Sequence, residues 1–169
     1  RGVDQAVAQE LFREIQDFAS YAFNKSHAAA YAYVAYQTAY LKCHYPQEYM
    51  AALLSSVLGW AGKVAEYTEE CKRLGITVLP PHVNTSGSGF TVDGKNIRFG
   101  LAAVKNLGRG VIARLVEERR RNGAFASFYD FCRRMAGQEL NRRGIESLVK
   151  AGAMDGLGNN RREMRLAVE

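Results

Sequence analysis

Leu101-Ala102-Ala103-Val104-Lys105-Asn106-Leu107-Gly108-Arg109-Gly110-Val111-Ile112-Ala113-Arg114 reads as a short apolar helix, a Leu-Gly-x-Gly turn and the start of a second apolar helix. Glycine has no Cβ, so the chain can turn tightly there and bring its backbone close to another group. The first N–H groups of a helix lack intrahelical partners and carry the positive end of the helix dipole. A turn of this composition at the head of a helix therefore offers backbone donors to an anion such as a phosphate. The expected helices cover 101–106 and run from 111 to about 121, with Lys105, Arg109 and Arg114 adding charge around the turn. The plain alternative is an αα-hairpin whose glycines only make the connection.

The pattern is that of a helix-hairpin-helix, and a more divergent copy follows it. Leu140-Asn141-Arg142-Arg143 leads into Ile145, Leu148 and Val149, which give an inner face. Ala151-Gly152-Ala153-Met154-Asp155 is the expected turn, so Gly108, Gly110 and Gly152 are the glycines expected to shape phosphate turns. Arg161, Arg162 and Arg165 fall on the next helix, expected from about 159. Charge follows the same division. Residues 1–60 hold 4 Lys and Arg against 5 Asp and Glu, residues 61–100 hold 5 against 4, and residues 101–169 hold 14 against 8. The excess of +6 therefore lies in the last segment and points to an anionic partner there. Paired turns in a basic segment favour duplex DNA held by its backbone, which positions a protein without reading sequence. In the plain alternative the second copy only buttresses the first.

Towards the amino terminus, 90–92 and 97–99 alternate around Asp93-Gly94-Lys95-Asn96, a hairpin signal. A short strand is expected over 76–79, closed by Pro80-Pro81, with loop over 82–89. Val64, Tyr67, Cys71 and Leu74 stripe a helix over 61–74, with Gly75 as its terminating residue. Pro46 suits the first turn of a helix to about 57. Val7, Leu11, Ile15 and Phe18 stripe a helix over 4–20. After a break at 21–26, with Asn24 and Ser26 as capping candidates, a helix over 27–44 is apolar nearly all round. Such a helix is expected to be surrounded by protein. Further helices are expected over 127–135 and 142–150. The fold class is thus mainly α with a short β-ribbon, divided as 1–75, 76–100 and 101–169.

The 169 residues are 47% hydrophobic, enough for a real core. The uncharged run 28–41 is too short to span a bilayer and is rich in tyrosine. No export segment opens the chain, which favours the cytoplasm and no membrane. Cys43, Cys71 and Cys132 are odd in number and far apart, so buried reduced thiols are expected rather than disulfides or zinc. A hydrolase built on Cys43 or His44 fails for want of an acid or base pattern beside them.

Lys25, Ser26 and His27 precede an apolar helix, where they can grip a phosphate or serve as plain helix-start and solvated residues. The run Phe23-Asn24-Lys25-Ser26-His27-Ala28, then Ala35-Tyr36-Gln37-Thr38-Ala39-Tyr40-Leu41-Lys42 and His44-Tyr45-Pro46, resembles the fingers of bacterial C-family DNA polymerases. Gly75-Ile76-Thr77-Val78-Leu79-Pro80-Pro81-His82-Val83-Asn84 and Phe99 to Gly108 continue the resemblance. Leu140-Asn141-Arg142-Arg143 and Lys150 to Asp155 complete it, in the family's order. Asn24 and Ser26 match the DnaE type, where the PolC branch has Pro and Ala.

The resemblance implies templated DNA synthesis by the parent enzyme, with this chain a fragment of it. Residues 1–75 would be distal fingers, with Lys25, Ser26 and His27 on the nucleotide or template side. Residues 76–100 would be a β-ribbon connector. Residues 101–169 would be the tandem helix-hairpin-helix that holds duplex DNA. Lys105, Gly108, Arg109, Gly110, Arg114, Arg142, Arg143, Gly152, Arg161 and Arg162 are the expected DNA-binding residues. Primer-template DNA, deoxynucleoside triphosphates, a sliding clamp and other replisome subunits are the implied partners. Mg²⁺ is implied for the parent and no cofactor for this fragment. No Asp-x-Asp pair occurs here, so the palm acids are missing and no activity is expected from the fragment alone. The rival is a helix-hairpin-helix module of a repair protein, which has no need of the 23–46 block.

Overall fold

The computed structural model describes residues 2–21, 25–158 and 160–168. The chain forms two compact units, 1–44 and 45–169. The class is mainly α with one small sheet, as the sequence patterns require.

The first unit holds α1 (Gln5–Tyr21) and α2 (Lys25–His44). Asp4 caps α1, its Oδ1 accepting from the Ala6 N–H at 2.8 Å. The apolar stripe of α1 is unburied, from 49% exposure at Val7 to 75% at Phe18. No residue of α2 is buried either, although its sequence predicts a helix enclosed by protein. Hydrophobic periodicity shows which face wants cover, but the described residues of this unit do not supply it. The helix begins at Lys25, so Ser26 lies within its first turn and is not its cap. Asn24 and Phe23 fall outside the described residues.

The second unit opens with α3 (Pro46–Ser56) and α4 (Ala61–Arg73). Pro46 occupies the first turn of α3, where its missing N–H costs nothing. α4 ends at Gly75, φ +72°, with the Ile76 N–H on the Cys71 oxygen and the Gly75 N–H on the Lys72 oxygen. That pair of bonds closes the helix in a left-handed residue that glycine adopts freely. The strands β1 (Val78–Leu79), β2 (Thr91–Asp93) and β3 (Asn96–Arg98) form a sheet in the order β1-β3-β2. β2 and β3 are the expected hairpin, and β1 pairs parallel to β3. One core gathers Met50, Leu54, Cys71, Ile76, Phe90 and Ile97 beneath this sheet.

Beyond Gly100 come a single 3₁₀ turn (Leu101–Ala103), α5 (Arg109–Asn122), α6 (Phe128–Met135), α7 (Arg142–Lys150) and α8 (Arg161–Val168). The helix expected over 101–106 is only that turn. Its first N–H groups bond the Gly87 and Ser88 carbonyls, and Val104 is already extended, with ψ 128°. The second core joins Leu101, Ile112, Leu115, Phe125, Phe131, Leu148, Met154 and Met164.

A polar frame surrounds this core. Asn84 Nδ2 donates to the Phe125 carbonyl at 2.9 Å and its Oδ1 accepts from the Phe125 N–H at 2.8 Å. The Arg134 guanidinium reaches Glu118, Asp130 and the Gly123 and Ala124 carbonyls. Among the described residues no buried side-chain nitrogen or oxygen lacks a hydrogen-bond partner. Cys71 is buried and Cys132 half-buried, and burial pushes both thiols up. Cys43 corrects the expectation of three buried thiols, because it stands exposed on α2.

Candidate nucleic-acid interface

α5 begins without a side-chain cap. Gly108 holds the cap position in an extended conformation, φ −73° and ψ 150°. A Cβ at Gly108 or Gly110 would meet nothing within 4 Å. The N–H groups of Arg109, Gly110 and Val111 have no intrahelical partner, and no backbone bond from the described residues reaches them. No acidic residue stands in this first turn. The glycines therefore leave a bare helix start rather than making the turn itself. The left-handed residue is Asn106, φ +61°.

The expected cations divide by what they already hold. Lys105 and Arg109 are exposed with no ion-pair partner among the described residues, as are Arg143 and Arg162. Arg114 pairs with Glu139 at 3.2 Å. Arg142 pairs with Glu146 at 3.0 Å, and Lys150 approaches the same carboxylate at 3.7 Å. The Arg142 bond, aided by Lys150, holds the Glu146 carboxyl below the usual range. Lys105 and Asn106 of the turn share a groove of about 690 Å³ with Ser147 and Lys150, floored by Pro80, Pro81 and Phe99. A second groove of about 440 Å³ is lined by Val149, Lys150, Arg161, Arg162, Arg165 and Leu166.

The second hairpin is built differently. Asn141 caps α7, accepting from the Gly144 N–H at 2.9 Å. Gly152 ends α7 with φ +76°, its N–H on the Val149 oxygen and the Ala153 N–H on the Leu148 oxygen. This corrects its expected role: Gly152 closes a helix, as Gly75 does, and its donor is spent. Arg161 lies directly over it and grips Asp155 with two nitrogens. The Arg161 hydrogen bond lowers the Asp155 carboxyl from its ordinary value. At the head of α8 the Asn160 Oδ1 accepts from the Glu163 N–H at 3.0 Å, and Glu163 Oε2 accepts from the Asn160 N–H at 3.2 Å. That reciprocal box takes up the Asn160 and Glu163 N–H groups with the protein's own oxygens.

In the first unit, Lys25, Ser26 and His27 are exposed on the opening turn of α2. The His27 and Tyr31 rings meet tilted with centroids 4.4 Å apart, and those of Tyr40 and His44 at 4.2 Å. Tyr36, Gln37, Tyr40 and Leu41 line a shallow groove on the same helix.

The helix-hairpin-helix motif family matches residues 75–164. The chain belongs to the helix-hairpin-helix motif family. Nearly its whole length is also similar to DNA polymerase III subunit alpha of several bacteria. Identity is 53% to that of Thermus aquaticus, covering 96% of this chain and 13% of that protein. It is 46% to that of Deinococcus radiodurans, covering 94% and 12%. It is 44% to that of Vibrio cholerae, covering 99% and 15%. The chain therefore spans about one-eighth of the length of these relatives. The resemblance to the C-family polymerases, drawn above from short motifs, extends across both units.

Within the helix-hairpin-helix segment, the sequence missed the residues that tie the hairpins together. Asn106 Nδ2 donates to Ser147 Oγ at 2.9 Å, across 41 residues. A Cβ at Gly144 would sit 3.3 Å from the Asn106 oxygen and 2.9 Å from Leu140, so α7 approaches the turn through a bare position. Asparagine before the glycines was a legible hint, because it tolerates the left-handed region. Asn160-x-x-Glu163 was another, being a capping-box spacing. Among the described residues no three His, Cys, Asp or Glu side chains stand together in a metal-binding group.

Proposed function

We propose that the second unit grips duplex DNA by its phosphate backbone, without reading sequence, as part of a C-family replicative polymerase. The uncapped start of α5 carries this reading: open N–H groups at Arg109, Gly110 and Val111, with Lys105 and Arg109 beside them. A helix start of this kind suits a phosphate. Arg114, Arg142, Arg143, Arg161 and Arg162 add positive potential around it. The similarity of residues outside the motif to DNA polymerase III subunit alpha favours a polymerase over a repair module.

In the parent enzyme the activity is templated addition of deoxynucleoside triphosphates to a primer. Residues 1–75 are assigned to distal fingers, 76–100 to a connector and 101–169 to the DNA grip. Lys25, Ser26 and His27 are assigned to the nucleotide or template side. Mg²⁺ and the chemistry it supplies are assigned to acidic residues elsewhere in the parent, as are contacts with a sliding clamp and other replisome subunits. The assigned compartment is the cytoplasm; no described helix is long and apolar enough to cross a membrane.

The test is anisotropy of labelled duplexes of unrelated sequence across a salt series. Affinity should be nearly independent of sequence and fall with salt, with a log–log slope of about −4 to −5 for roughly five phosphate contacts. Absence of salt-sensitive binding at low ionic strength overturns the reading.

A further inference from the structure

The two hairpins are unequal. The first leaves its helix start without a side-chain cap, and the second caps its own with Asn160 and Glu163. Gly152, the glycine of the second turn, has donated its N–H to the end of α7. What the second hairpin does offer the first is a fixed wall. The Asn106 side chain is bonded to Ser147 Oγ, and the Asn106 carbonyl and the Leu107 side chain lie against the bare Gly144. A Cβ at Gly108 or Gly110, by contrast, would meet nothing within 4 Å, so no packing at these positions steadies the turn.

We infer that Asn106 is the positioning residue of the phosphate-binding turn, with Ser147 of the second hairpin as its anchor. The inference rests on the proposed DNA grip but concerns what aims it. Asn106 acts twice. Its left-handed backbone redirects the chain into Leu107-Gly108, and its amide fixes that bend to α7. An open helix start binds an anion only if its donors point at one place, and a bare glycine turn cannot hold itself there. The second hairpin supplies the rigidity and the first supplies the donors. Sugar–phosphate backbone is the ligand class for the first turn.

The test compares the full chain with Ser147→Ala, Asn106→Gly, the double variant and Ser147→Thr. Glycine keeps the left-handed backbone, so Asn106→Gly removes only the side-chain tie. Ser147→Ala and Asn106→Gly should each weaken duplex binding roughly five-fold, the worth of about one hydrogen bond. Each should also make the salt slope shallower by about one phosphate. The double variant should be no weaker than either single one, because both cut the same tie. Ser147→Thr, which keeps the hydroxyl, should restore affinity. A second readout needs no DNA: the amide resonances of Leu107 to Gly110 should shift or broaden in Ser147→Ala. A fall in melting temperature with unchanged affinity, slope and resonances would show a merely structural bond and overturn the inference. So would additive losses in the double variant. If the unaltered chain itself fails to bind, the DNA-grip reading falls, while the resonances still decide whether Ser147 positions the turn.

Discussion

His82 Nε2 lies 3.1 Å from the carbonyl oxygen of Asp155, joining the loop after β1 to the turn of the second hairpin. Asp155 in turn holds Arg161 over Gly152, so one short loop collects the connector, α7 and α8. The second hairpin is thereby a fixed block on which the open turn of the first can be mounted.

Gly152→Ala should destabilise the protein. The residue sits at φ +76°, and a Cβ there would collide with the Arg161 guanidinium. The left-handed conformation alone costs an alanine about 1–2 kcal/mol. Urea unfolding should show at least that loss, and an unchanged midpoint would show that Arg161 moves aside freely and the turn relaxes.

Gly110→Ala should separate stability from binding. Position 110 is helical and a Cβ there meets nothing, so alanine should stabilise α5 by about 0.5 kcal/mol. Helical Cβ atoms tilt towards the amino end, where the phosphate is proposed to approach. A higher melting temperature with weaker DNA binding is expected, and Gly108→Val with Gly110→Val should weaken binding further without unfolding. Unchanged affinity in all of them would remove the glycines from the interface.

Arg134→Ala should cost about 3 kcal/mol in chemical unfolding, as a mostly buried pair loses one partner. Its side chain is only 12% exposed, and it stands 4.4 Å over the Phe125 ring while bonding Glu118 and Asp130. Arg134→Lys should recover little, because one ammonium cannot reach the carbonyls of Gly123 and Ala124 as well as both carboxylates.

Asn84→Ala should loosen the 123–127 loop. The amide side chain satisfies both the N–H and the carbonyl of Phe125, and alanine leaves both without that partner. A loss of about 1–3 kcal/mol is expected in equilibrium unfolding. Hydrogen exchange at Phe125 should quicken, and continued protection there would mean that another group takes over.

Acid should weaken the fold through three carboxylates. Arg134 and Asn122 hydrogen bonds lower the Glu118 carboxyl. The Ala126 N–H, then the arginines, lower Asp130, and Arg161 lowers Asp155. Each folded value lies below its ordinary one, 4.5 for glutamate and 3.8 for aspartate. Their contribution is complete above those ordinary values and is lost as pH falls through the lowered folded ones. Melting temperature should hold from pH 7 to about 5 and fall below about 4. Glu118→Gln should flatten that fall, and an unaltered slope would show that Glu118 does not couple to folding.

Sequence patterns located most elements closely, because their signals are local. Pro46 began a helix, Gly75 ended one, Gly94 turned the ribbon, and Ser127 capped α6 through the Asp130 N–H. The segment 101–106 misled, since Leu101 and Val104 fit a helix and a 3₁₀ turn equally well. Only the carbonyls of Gly87 and Ser88, brought in from elsewhere, decided for the shorter form. The stripe of α1 was equally plain, and still the described residues of its unit leave it exposed.

By itself the sequence determined the helical class, the ribbon, the bare glycine turn and the basic bias of the last segment. Each depends on side-chain size, φ preference or charge within a few residues. Tertiary structure alone decided how the two hairpins lock together. Asn106 meets Ser147 across 41 residues, and Gly152 lies under Arg161. Such pairings arise when the core brings distant segments together, and no local spacing encodes them.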